Sequence, residues 1–172
     1  MVTLRAAGVG DADAVGALHA ASWRAFYRGA YADAYLDGDL VGERRGVWRS
    51  RLADPVGTVT VLAEDAGALV GFVHVVVDDD PRWGSLVDNL HVAGGRRHAG
   101  VGTALHAAAV TEVLRRAAMP RLYLWVLEQN VAAQRFYRAR GGRCVETVPV
   151  GGDPARLAGT PNKLRMVWDR LR

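Results

Sequence analysis

The 172-residue chain has one cysteine, Cys144, so it can form no internal disulfide framework and offers no thiolate cluster for a metal. It has one lysine, Lys163, so nearly all of its positive charge is arginine. No apolar run approaches the length of a membrane span. The opening residues, MVTLRAAGVGDAD, have no basic stretch leading into a long apolar one, so no secretory signal is expected. No repeat, low-complexity tract or linker divides the chain. These absences lead us to expect a soluble, cytoplasmic protein forming one domain over residues 1–172.

Half of the residues are hydrophobic, enough for a substantial core, and the net charge is +4. Guanidinium groups bind phosphate through forked hydrogen bonds, so an arginine-rich chain invites an anionic partner. A nucleic-acid binder would gather its arginines on one face. Here they are spread along the chain, several beside acidic residues, so neither nucleic acid nor membrane is an expected partner.

The hydrophobic pattern alternates between two periods. Residues 2–7 suit a strand. Val15, Leu18, Ser22 and Phe26 mark one face of a helix that Asp11 or Asp13 caps, and a second helical segment lies between Ala32 and Leu52, broken near 37–39, with Trp48 and Leu52 as core contacts. TVTVLAED and ALVGFVHVVVD flank Asp65-Ala66-Gly67 as a hairpin, DDDPRWG is a turn, and SLVDNLHVA is a further strand. The next helix should bury Ala107, Val110, Leu114 and Ala117 and stop at Pro120. RLYLWVL is a strand, and the helix after it starts at Asn130 and ends at Gly141-Gly142. RCVETVPV and LRMVWDRL close the chain as strands around a loop at 151–162. The order β-α-α-β-β-β-α-β-α-β-β makes a mixed α/β sheet.

The segment RRHAGVGTALHAAA, from Arg96 to Ala109, places cations and glycines between a strand and a helix. A helix N-terminus exposes unpaired N–H groups and partial positive charge, and glycine lets an anion approach the backbone. A P-loop is excluded because Gly102 is followed by Thr103 with no lysine. A dinucleotide fingerprint is excluded because position 105 is leucine.

What remains, Arg97-x-x-Gly100-x-Gly102, resembles the pyrophosphate-binding motif of the GNAT acetyltransferase superfamily. Leu90-His91-Val92 stands where that family has its Leu-x-Val strand. Trp125, Val126, Asn130, Ala133, Phe136, Tyr137 and Gly141 follow as its second block, with Val70-Gly71 and Arg165-Met166 fitting the same pattern. The resemblance spans nearly the whole chain and is strongest over 86–142. It implies acetyl-coenzyme A as co-substrate, a sheet whose central strands splay apart, and transfer of an acetyl group to a primary amine in a ternary complex.

The resemblance also implies residue roles. The coenzyme set is Leu90, His91, Val92, Arg97, His98, Ala99, Gly100, Val101, Gly102, Thr103, Asn130, Ala133, Phe136 and Tyr137. The N–H groups from Ala99 to Thr103 would hold the pyrophosphate, and the Leu90 and Val92 backbone would pair with the pantetheine arm. Asn130 has two readings, a helix cap and a ligand of the pantetheine amide. Tyr137 is the general acid for the departing thiol, while Phe136 packs. Many relatives have a glutamate base on the fourth strand where this chain has Leu86. Asp88 is therefore the candidate base, with His91, His74 and Glu128 also in reach. Cys144 lies past the helix with no histidine partner, which disfavours a covalent route. The acceptor side is expected from the first two helices and the 149–162 loop, where Trp23, Tyr27, Tyr31 and Tyr35 cluster; most of these pack, and one or two line a pocket. Asp78-Asp79-Asp80 either attracts a cationic amine or is a solvated turn. No metal is expected, and a homodimer is open. The missing glutamate leaves a second reading open, an acyl-coenzyme A-binding domain without turnover.

Overall fold

The computed structural model describes residues 1–96 and 100–172. Its elements run β1 (Val2–Ala6), α1 (Ala12–Phe26), α2 (Asp33–Asp37), α3 (Leu40–Ala53), β2 (Thr58–Asp65), β3 (Ala68–Asp80), β4 (Gly84–Val92), α4 (Val101–Arg116), β5 (Leu122–Leu127), α5 (Val131–Arg138), β6 (Arg143–Pro149) and β7 (Asn162–Trp168). The seven strands form one sheet in the order β1-β2-β3-β4-β5-β7-β6. Every neighbouring pair is antiparallel except β4 and β5, which are parallel because α4 carries the chain back between them. The mixed α/β sheet and the element order are those expected, with the break at 37–39 separating α2 from α3. Asp39 caps α3 by accepting from Gly42 N at 3.0 Å.

Side chains alternate across the strands, and each face of the sheet takes a different cover. On one face Val101, Leu105, Ala109 and Val113 of α4 join Ala63, Val73, Val75, Leu124 and Met166 in the larger core. On the other, Ala12 and Val15 of α1 and Trp48 and Leu52 of α3 pack on Leu62 and Phe72. α1 and α3 cross so closely at Gly16 that a Cβ there would lie 2.7 Å from the Arg45 backbone.

The α4 face differs from expectation. Leu114 is 44 % exposed and Ala107 is exposed, whereas Leu105, Ala109 and Val113 are fully buried. The helix has two adjacent apolar stripes, so periodicity alone does not choose between them. Gly71 of β3 leaves a hollow that Leu105 and Val101 fill, and that contact selects the stripe. Val110 and Ala117 pack at the edge of the core. The helix ends at Arg116, short of Pro120. Ala117 is extended, and the Asp78 carboxylate accepts from Ala118 N at 2.9 Å.

The acidic run at 78–80 is used within the fold. Besides Asp78, Asp79 accepts from the Tyr123 hydroxyl, and Asp80 accepts from Arg82 N and Trp83 N at 2.7 and 2.9 Å. No described helix is long and apolar enough to cross a membrane.

Candidate active site

The parallel ladder between β4 and β5 is short. It pairs Ser85 to Val87 with Leu122 to Leu124 and goes no further. On its other edge β4 stays paired to β3, but with a break in register: His74 faces Asn89 while Val75 faces Val87. Asp88 is thus an extra residue on β4, and such a bulge bends its strand. Beyond it β4 and β5 diverge, opening a cleft of about 500 Å³. Leu90, His91 and Val92 line one wall and Trp125, Val126 and Leu127 the other.

The starts of both helices that follow these strands close one end of the cleft. Gly100 has φ +78, a left-handed conformation that glycine adopts without strain, and no side chain caps α4 there. Gly100, Gly102 and Thr103 all line the cleft. A Cβ on Gly102 would stand 3.3 Å from the Phe136 ring, so this glycine lets α4 and α5 meet. Val101 turns its side chain into the core and is not among the residues that line the cleft. Arg97, His98 and Ala99 lie outside the described residues.

On α5, Asn130 caps its own helix, accepting from Ala133 N at 3.1 Å, and it also lines the cleft with Ala133 and Phe136. Tyr137 is 8 % exposed and lines the cleft, and burial pushes its phenol up to about 12. Tyr27, just past the end of α1, joins it, its phenol raised well above the ordinary range, chiefly by burial.

The candidate bases separate. Asp88 lines the cleft, but its carboxylate is ion-paired to Arg51 Nη1 of α3 at 2.7 Å. His91 lines the cleft and shares a 2.7 Å hydrogen bond between Nδ1 and Ser22 Oγ. His74 is bonded to Thr60 Oγ1 beneath the sheet, away from the cleft lining, and Glu128 accepts from Asn162 Nδ2 at 3.0 Å outside it. Of the aromatics expected on the acceptor side, Tyr27 lines the cleft. Trp23 and Tyr31 line a second cavity of about 180 Å³ with Tyr35 and part of the 149–162 loop.

One cleft residue was not anticipated. Arg140, just past α5, folds back over the Phe136 ring, with its guanidinium carbon 3.6 Å from the ring centroid. It donates to Phe136 O at 2.9 Å and to Thr103 Oγ1 in the first turn of α4. Its Nε is buried without a hydrogen-bond partner, and it forms no ion pair with a described carboxylate. A cation at a helix N-terminus meets a partial charge of its own sign, so both groups favour an anion between them. The available signal was the i,i+4 spacing from Phe136, which sets a guanidinium over an aromatic ring.

The sequence model of the acetyltransferase (GNAT) family matches residues 17–141. Three solved structures share the fold across essentially their full lengths. The PaiA N-acetyltransferase of Thermoplasma acidophilum, in complex with coenzyme A, has a TM-score of 0.76 at 15% identity, covering 100% of this chain and 99% of that one. The ribosomal-protein-alanine N-acetyltransferase of Brucella melitensis has 0.71 at 22%, covering 97% and 99%. Arabidopsis thaliana NAA60, in complex with a bisubstrate analogue, has 0.69 at 17%, covering 98% and 97%. A comparison with curated proteins returned no match.

Buried histidines, of which His91 lines the cleft, make the fold sensitive to acid. Burial lowers His74, His91 and His106 to about 4 and depresses His19 further. Unfolding returns them to an ordinary value of about 6.5, so the unfolded chain binds the extra protons. Their contribution to stability is complete above about pH 6.5 and is lost as pH falls toward 4. The melting temperature should be level from pH 8 to about 6.5 and fall steadily below it, as read by circular dichroism. A decline beginning only in the carboxylate range would show that these imidazoles are not buried neutral.

Proposed function

The chain belongs to the GNAT acetyltransferase family, and from that premise we propose that it transfers the acetyl group of acetyl-coenzyme A, the family's co-substrate, directly to a primary amine. The observation that carries this reading is the cleft where β4 leaves β5. It exposes one edge of an extended strand beside an uncapped helix N-terminus. A long, amide-bearing arm ending in a pyrophosphate suits both features. Leu90 and Val92 offer backbone groups along the strand, and the N–H groups of Val101, Gly102 and Thr103 face the phosphate end. Arg97, His98 and Ala99 complete the glycine turn in this proposal. Arg140 adds a guanidinium from the α5 side.

In the transfer a nitrogen–carbon bond forms, the carbon–sulfur bond breaks, the amine gives up a proton, and the thiolate leaves to take its proton from solvent. Tyr137 is the proposed donor toward the sulfur. Its phenol is fully protonated at neutral pH. Complete proton transfer to a thiolate whose conjugate acid lies at about 8.5 would be uphill, so Tyr137 acts chiefly by hydrogen-bonding the developing negative charge. Asp88 remains the proposed proton acceptor for the amine, positioned by Arg51.

Leu86 and the Arg51–Asp88 ion pair favour a second reading, an acyl-coenzyme A-binding domain without turnover. A turnover assay separates the two: thiol release that depends on an added amine supports transfer, and coenzyme binding without release supports the second reading.

Two substitutions test the assignments. Gly100→Glu sets a carboxylate against the phosphate end and forces a side chain into a left-handed position. It should weaken acetyl-coenzyme A binding by about two orders of magnitude in a calorimetric titration. Unchanged affinity would place the phosphate site elsewhere. Tyr137→Phe should lower kcat on the order of a hundredfold while leaving coenzyme affinity within about threefold. Full activity would remove the donor role.

A further inference from the structure

Apart from Lys163, every strongly basic side chain of this chain is an arginine. A guanidinium keeps its proton and is no nucleophile at neutral pH, whereas an ammonium can give one up and become an amine. Lys163 is therefore the one side-chain amine, and the fold sets it beside the cleft. It pairs with Leu127 across the β5–β7 ladder, next to Arg165, which pairs with Trp125. Leu124 and Val126 of β5 and Leu164 and Met166 of β7 belong to the core under α4. Strand alternation puts Trp125, Leu127, Lys163 and Arg165 on the opposite side of the sheet, the side on which α1 and α3 pack. Trp125 and Leu127 line the cleft, and Lys163 Nζ stands 4.4 Å from the centroid of the Trp125 ring. Asp88, held by Arg51 of α3, enters the cleft from this same side. The start of α4 lies on the other, so Lys163 and the proposed proton acceptor share the side away from the phosphate end.

The Lys163 ammonium is placed but not paired. No described carboxylate forms an ion pair with it: Glu146 of β6 is taken by Arg165, and Glu128 accepts from Asn162 Nδ2 at 3.0 Å. Arg165 stands over the same Trp125 ring at 4.2 Å. Half-burial, with this guanidinium nearby, holds the Lys163 pKa below the ordinary lysine range, which raises the neutral, nucleophilic fraction. Unlike the buried donors Trp23 Nε1 and Arg44 Nε, Lys163 Nζ is open to solvent. Its four-carbon stem is longer than the spacing of about 4.8 Å between neighbouring strands, so rotation about side-chain bonds alone carries Nζ from β7 across β5 to the cleft.

We propose that Lys163 is an internal acetyl acceptor, modified in cis by the acetyl-coenzyme A bound to its own chain. This rests on the acetyl-transfer reading above. The ammonium first gives a proton to solvent. Nζ then attacks the thioester carbonyl carbon, a nitrogen–carbon bond forms and the carbon–sulfur bond breaks. The second proton passes to Asp88, and the thiolate leaves past Tyr137 to take its proton from solvent. The product is a neutral amide, so the reaction runs once per chain and removes the cation that stood over Trp125.

The test is incubation of the purified protein with acetyl-coenzyme A and no added amine, followed by peptide mapping by mass spectrometry. The N-terminal amine, exposed and paired with Asp65 at the far edge of the sheet, reports uncatalysed chemistry. In free solution an α-amine loses its proton at lower pH than a lysine, so uncatalysed acetylation favours the N-terminus. The proposal predicts the reverse, with Lys163 labelled at least about tenfold faster. The rate should saturate with acetyl-coenzyme A and, per chain, be independent of protein concentration. Thiol release should stop once each chain has freed a single coenzyme A. Gly100→Glu should slow Lys163 labelling to the N-terminal rate. Lys163→Arg, which keeps a cation over Trp125, should abolish the amine-free thiol release while acetyl-coenzyme A still binds. Labelling no faster than at the N-terminus, labelling unchanged by Gly100→Glu, or a rate per chain that rises with protein concentration overturns the proposal. Thiol release that requires an added amine, with Lys163 unlabelled, removes this proposal and leaves the proposed function standing. Failure of acetyl-coenzyme A itself to bind overturns both.

Discussion

The early end of the β4–β5 ladder is the constraint on which the rest of the site depends. A parallel pair that continued past Val87 would bury the edge of β4 and close the sheet. The extra residue at Asp88 prevents this by bending β4 while leaving its pairing with β3 intact on the far side of the break. The same bend brings a carboxylate to the cleft and to Arg51 of α3. One irregularity thus creates the binding edge and supplies an ionisable group beside it.

The electrostatics at the mouth of the cleft point the same way. The uncapped N-terminus of α4 and the Arg140 guanidinium, which forms no ion pair with a described carboxylate, meet at Thr103. Their like charges repel, the stack of Arg140 on Phe136 and its two hydrogen bonds offset that repulsion, and an anion between them would relieve it. The apolar contacts nearby hold that geometry: Phe136 packs under Arg140 and against Gly102, and Leu105 and Val101 seat α4 on β3. Packing therefore sets the position of the charges.

Much of this was legible in the sequence, for local reasons. Strand alternation, the Asp65-Ala66-Gly67 turn, the Asn130 cap and the glycine turn before α4 are short-range signals, and each appears where its residues imply. The features that escaped are long-range. Two apolar stripes on α4 are equivalent until Gly71 of β3 offers one of them a hollow. Arg140 looks like a charge at a helix end until Thr103, 37 residues earlier, is beside it. Three nearby aromatics, Trp23, Tyr27 and Tyr31, read as one group. Yet the turn after α1 and the loop before β7 divide them between two cavities. The alternation of Asp88 with Leu90 could not reveal the bulge, because a bulge is a property of the pairing and not of one strand.

The central claim is that the exposed edge of β4 and the start of α4 together hold the coenzyme. A backbone-amide NMR titration of the labelled protein with coenzyme A tests it most directly. The account predicts that the largest shifts fall at Leu90 and Val92, at Gly100 to Thr103, and at the start of α5, with β1 and β2 unmoved. Shifts confined to other surfaces, with those amides unchanged at saturation, would contradict it.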